Sequence, residues 1–205
     1  MASTKHTLTP NGDDTDGSDD WTVVTNILGD SIHNVMATTN STRYVKSNSI
    51  GVRNKVTFTN LDGTSRTTTP PIHWIQYNFN YGSNLASEVF QVQVQLQDGE
   101  DSDTALTDDT LQLTAPSNTD KVNTFTSPIL PFHSGTDRWT EDNLDNIKFY
   151  FRLIDNDVGS SATTEIEMHY VSILVMRNDN DRTEPATYVA KKGMTASRGV
   201  LNIGG

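Results

Sequence analysis

The stretch Phe90-Gln91-Val92-Gln93-Val94-Gln95-Leu96-Gln97 decides the fold. Apolar residues alternate strictly with glutamine, and a period of two puts one set on each face of a β-strand. A helix would scatter the same residues around its circumference. The pattern recurs on both sides of this stretch. Ile75, Tyr77, Phe79 and Tyr81 alternate with Gln76, Asn78 and Asn80. Ile147, Phe149, Phe151 and Leu153 alternate with Lys148, Tyr150 and Arg152. Three strands, each apolar on one face, can bury those faces only against one another or against a second sheet.

A fourth long strand is predicted between Thr163 and Met176. Ile166, Met168 and Tyr170 alternate with Glu165, Glu167 and His169, after which Val171, Ile173 and Val175 continue in the opposite phase. Either a bulge shifts the register near Tyr170, or the second half is buried on both faces. Shorter strands are predicted at Trp21–Thr25, Arg43–Lys46, Lys55–Thr59 and Leu111–Leu113, and within Val122–Leu130. Asn60-Leu61-Asp62-Gly63, Asp98-Gly99, Pro116-Ser117-Asn118, Ser134-Gly135 and Asp157-Val158-Gly159 supply turn chemistry between them. The stretch after Thr25 reads as broken as far as Asn40-Ser41-Thr42. Thr140, ahead of Glu141-Asp142-Asn143-Leu144, is placed to cap a single helical turn. The expected fold is all-β: an antiparallel two-sheet sandwich, jelly-roll-like, with extended N- and C-terminal arms. A closed barrel is the alternative.

The arms follow from composition. Only 34% of the 205 residues are hydrophobic, too few for a core running the whole length. Residues 1–20 are polar and turn-rich, with Asp13, Asp14, Asp16, Asp19 and Asp20 around Gly17 and Ser18, and read as an arm. Residues 21–176 form the sandwich, and 177–205 a second arm. From Tyr188 onward that arm carries Lys191, Lys192 and Arg198, no acidic residue, and spaced apolar side chains. Tyr188, Lys191, Lys192 and Arg198 are therefore candidate partner-binding residues, suited to docking on another chain.

The net charge of −11 argues against a nucleic-acid partner and against anionic membrane surfaces. No run of about 20 apolar residues is present to span a bilayer. The N-terminus has no apolar stretch of the kind a signal peptide needs. Cysteine is absent, which removes disulfides and thiolate metal sites and fits assembly in a reducing cytoplasm.

Catalytic signatures are not found. His6, His33, His73, His133 and His169 show no metal-ligand spacing. There is no Gly-x-Ser-x-Gly, phosphate-binding loop or dinucleotide fingerprint. No cofactor and no enzymatic activity are expected. The acidic turns at 13–20, 98–103, 155–157 and 179–181 carry the hard oxygen ligands calcium takes, but none fits the twelve-residue loop, so solvated turns are the default reading. Trp74 lies in the opposite phase to Ile75, Tyr77 and Phe79, as Tyr150 does to Phe149 and Phe151. Both are expected at the outer surface, where aromatic rings serve subunit contacts or glycan binding. A subunit contact is weighed ahead of a glycan.

The order of these elements resembles a β-sandwich domain found in virion proteins of tailed bacteriophages, marine and cyanobacterial ones especially. The resemblance runs from Trp21-Thr22-Val23-Val24-Thr25-Asn26-Ile27-Leu28-Gly29-Asp30 through the strands Ile75–Phe79 and Val92–Leu96. It continues in Thr136-Asp137-Arg138-Trp139-Thr140 before Asn143-Leu144-Asp145-Asn146-Ile147, and ends on Ile166–Val175. It implies a virion structural protein, most readily one that decorates or cements the capsid through its sandwich and arms, or else a neck, tail or fibre component. The implied partners are other virion proteins, among them the major capsid protein, and further copies of this chain in a homo-oligomer, a trimer first. A module binding host-surface glycans is the alternative from another class.

Overall fold

The computed structural model describes residues 3–14, 21–39, 42–59, 71–98, 104–145, 147–155 and 164–178. Among these residues twelve strands and two short helices follow one another. They are β1 (Ser3–Leu8), β2 (Pro10–Asp14), β3 (Thr22–Val24), α1 (Ile32–Met36), β4 (Tyr44–Ser47), β5 (Arg53–Phe58), β6 (Ile72–Ser83) and β7 (Val89–Asp98). After them come β8 (Thr104–Ala105), β9 (Asp109–Thr114), β10 (Asn123–Thr126), α2 (Glu141–Asp145), β11 (Ile147–Asp155) and β12 (Ile166–Asn178). One six-stranded sheet has the order β10-β6-β12-β4-β3, with β1 beside the far half of β12. The other has the order β2-β5-β11-β7-β8, with β9 also on β7. Every pairing is antiparallel. The fold is the two-sheet sandwich the alternation predicts.

The core forms where that alternation puts it. Phe90, Val92, Val94 and Leu96 of β7 and Ile147, Phe149, Phe151 and Leu153 of β11 are buried. Gln91, Gln93 and Gln95 stay half-exposed on the opposite face. From the first sheet, Ile75, Tyr77, Phe79, Val171, Ile173 and Val175 close over them with no exposed surface. Phe149 has its ring centroid 5.7 Å from Tyr77 and 5.8 Å from Phe79, across the layer between the sheets. Tyr77 also joins the layers by a hydrogen bond, its hydroxyl donating to Asp109 Oδ2 at 2.7 Å. Burial, and then the Asp109 carboxylate, push that hydroxyl far above its usual range, so it stays a donor.

Four features refine the sequence reading. Met168 pairs with Tyr81 and Val171 with Phe79, so His169 and Tyr170 together oppose Asn80. That is the bulge, and it explains the phase change: Ile166 and Met168 before it and Val171, Ile173 and Val175 after it all face the core. Thr140 does cap α2, its Oγ1 accepting the Asn143 backbone N–H at 3.2 Å. The stretch read as broken contains α1, which buries Ile32, Val35 and Met36.

The fourth is a correction. Residues 3–14, expected to belong to an arm, are two paired strands, one in each sheet. Leu8 and Pro10 are buried, so this segment spans the two layers at one end. On the C-terminal side β12 extends to Asn178, past the expected boundary at Met176. Tyr188, Lys191, Lys192 and Arg198 lie outside the described residues.

Candidate functional site

The two expected surface aromatics do not come together. Trp74 is on the first sheet and Tyr150 on the second, each in the phase opposite to the core. Trp74 is half-buried on the outer face, directly across from Met176. Tyr150 is corrected: it is only 6% exposed. Lys55 on β5 and Gln95 on β7 stand opposite it on either side, and such long neighbours take up a flat ring's surface. Tyr150 therefore offers little to a partner.

The outer face of the first sheet is different. Between Trp74 and Gly82 its β6 positions are Gln76, Asn78 and Asn80, a strip roughly 26 Å long at about 3.3 Å per residue. Alternation puts these amides outward because the residues between them fill the core. Neighbouring side chains then fix two of them. Ser172 Oγ donates to Asn78 Oδ1 at 3.1 Å, and Thr124 Oγ1 donates to Asn80 Oδ1 at 2.8 Å. Each asparagine thus accepts through its oxygen, while its NH2 donors have no protein partner among the described residues. Gln76 turns sideways and donates to the Ser127 carbonyl at 2.7 Å. Trp74, Met176 and Leu174 give one end of the strip an apolar character, all of them half-buried.

At the other end the strip runs into a cleft of about 450 Å3, lined among others by Tyr44, Glu167 and His169. The volume lies within the usual range for small-ligand sites. Glu167 and His169 project from β12 just where the bulge begins, and Tyr44 projects from the adjacent strand β4. Glu167 Oε2 lies 3.2 Å from His169 Nε2, and the Glu167 charge acts on the Tyr44 hydroxyl. The Tyr44 ring stands 4.9 Å from the His169 ring. Burial, and then the Glu167 charge, raise the pKa of the Tyr44 hydroxyl, which keeps it protonated. Gly82 faces this cluster for a reason of space: a Cβ there would sit 3.1 Å from Glu167 Oε2 and 3.4 Å from His169 Nε2.

Among the described residues, no group of three or more His, Asp or Glu side chains could hold a metal ion. No helix of those residues is long and apolar enough to cross a membrane. The chemistry on offer is hydrogen bonding from amides, contact with aromatic rings, and one buried carboxylate.

No protein-family model matches the sequence, and no curated protein sequence matches it. Among solved structures, a crystal structure with xylogluco-oligosaccharide superposes with a TM-score of 0.44 at 13% identity, covering 81% of this chain and 36% of that one. The chain therefore spans little more than a third of that protein's length. A structure described as "CBM4 structure and function" gives a TM-score of 0.34 at 16% identity, covering 71% of this chain and 99% of that one. The functional reading rests on the chain's own side chains.

Proposed function

We propose that this chain is a non-catalytic carbohydrate-binding module that holds an extended, hydroxyl-rich glycan along the outer face of its first sheet. The observation that carries this reading is the pair Asn78 and Asn80. Both amides are held rigid through their oxygens, and both leave their donors to a ligand. Two such donors one strand repeat apart suit a chain of sugar oxygens, and pre-fixing them lowers the entropy lost on binding. Trp74 supplies an apolar ring at the end of the same strip, a surface on which the C–H face of a sugar can rest.

Titration calorimetry against a panel of soluble neutral polysaccharides tests the reading. Trp74→Ala, or Asn78→Ala with Asn80→Ala, is expected to weaken the best ligand about tenfold or more, in line with the loss of an aromatic contact or of paired hydrogen bonds. Absence of binding across the panel, or an undiminished affinity in the double asparagine variant, would refute it.

A second reading keeps the virion role implied by the resemblance. Ile27 is half-exposed and Leu28 fully exposed on the loop after β3. That loop is pinned by Thr25 donating to Asp30, which also pairs with Arg43. Two branched aliphatic side chains on a held loop suit a protein contact. Co-sedimentation with assembled particles, compared between wild type and Leu28→Ser, tests that reading.

A further inference from the structure

The carboxylate in the cleft is the feature that glycan hydroxyls alone do not use. Glu167 is only 8% exposed, and buried carboxylates are normally matched by a cation. Its hydrogen-bond partner among the described residues is the His169 ring. The lysine on the neighbouring strand is committed elsewhere: Lys46 Nζ lies 2.9 and 2.8 Å from the two oxygens of Glu165. His169 meets Glu167 through Nε2, while its buried Nδ1 has no hydrogen-bond partner among the described residues. At the rim, Asp120 and Lys121 are exposed and offset each other in charge. The cleft floor therefore presents one carboxylate beside an aromatic face, the pairing that receives an ammonium group.

We infer that the Tyr44–Glu167–His169 cleft is a subsite for an amino sugar, its free amine protonated and seated against Glu167 and the Tyr44 ring. The inference rests on the glycan-binding reading and deepens it. Asn80 adjoins the cleft on β6, so the sugar in the cleft and those along the strip belong to one chain. N-acetylation of the sugar removes the charge and adds bulk in the cleft, so acetylated units are disfavoured there.

The test compares three soluble oligosaccharides of equal length on the wild-type chain: one of glucosamine, one of N-acetylglucosamine and one of glucose. Calorimetry at neutral pH is expected to favour the glucosamine oligomer by roughly tenfold, as a charge-assisted contact would give. The preference should shrink as salt is added. Glu167→Gln keeps the shape of the side chain, and a thermal melt confirms its fold. In that variant the preference for the glucosamine oligomer over the glucose oligomer is expected to vanish. Equal affinities for all three in the wild type would overturn the inference and leave the module reading intact. A preference that survives in Glu167→Gln would also overturn it, by placing the amine elsewhere. Failure of the wild type to bind any of the three would overturn the inference together with the reading beneath it.

Discussion

Truncating Phe149 to alanine is expected to remove roughly 3–5 kcal/mol from the folding free energy, the range for a large aromatic lost from a packed core. Phe149 is fully buried at the centre of β11. Its ring meets Tyr77 and Phe79 from the opposite sheet and lies 6.1 Å from Phe151 on its own strand. Those neighbours belong to sheets held on both sides by paired strands, so they cannot collapse into the space. The cost should lie toward the upper part of the range for that reason. Chemical denaturation measures it as a fall in midpoint at constant slope. A loss below about 1 kcal/mol would mean that Phe149 does not bridge the two sheets.

Arg177→Ala is expected to be nearly as damaging, at about 3 kcal/mol. The arginine has no exposed side-chain surface. Its Nη1 donates to Glu141 Oε1 at 3.0 Å and its Nε donates to His6 Nε2 at 3.2 Å. One side chain near the end of β12 thus ties down both β1 and the helical turn α2. Removing it strips Glu141 of its partner and opens a large void beneath α2. Glu141 retains 24% of its side-chain exposure and can recover some hydration, so the loss falls at the low end for a broken buried pair. Thermal melts of Arg177→Ala and Glu141→Gln separate the two contributions. A change below about 0.5 kcal/mol in Arg177→Ala, the level of an ordinary surface site, would contradict this.

How far the sequence could be read follows from where each element keeps its apolar residues. β6, β7 and β11 announce themselves because one face is core and the other water, which writes the period directly into the chain. The phase change in β12 was legible for the same reason, as a break in an otherwise regular code, and the pairing with β6 decides for a bulge over burial on both faces. β1 was not. Ser3-Thr4-Lys5-His6-Thr7-Leu8 buries Leu8 and half-buries His6, so its strand character comes from backbone pairing with β12 rather than from apolar content. α1 carried a usable signal in Ile32, Val35 and Met36, an i, i+3, i+4 set behind Ser31, but five residues are too few to stand out as a period. The cleft was beyond reach for a different reason. Tyr44 and His169 are far apart in sequence, and only the pairing of β4 with β12 makes them neighbours. Tyr150 shows the converse limit: phase tells which way a side chain points, but not what its neighbours cover.

The bulge at His169 and Tyr170 also changes what the chain can lose. In an ordinary core strand, removing one residue turns every later side chain to the wrong face. In β12 the extra residue already absorbs that step. Without Tyr170, Met168 would still point inward, His169 outward and Val171 inward, in unbroken alternation against Tyr81, Asn80 and Phe79. Here a strand through the middle of the sandwich carries a spare register position, placed beside the cleft. Insertions and deletions, normally confined to loops, have at this point a route into the sheet that reshapes the outer face beside the cleft and leaves the core in place.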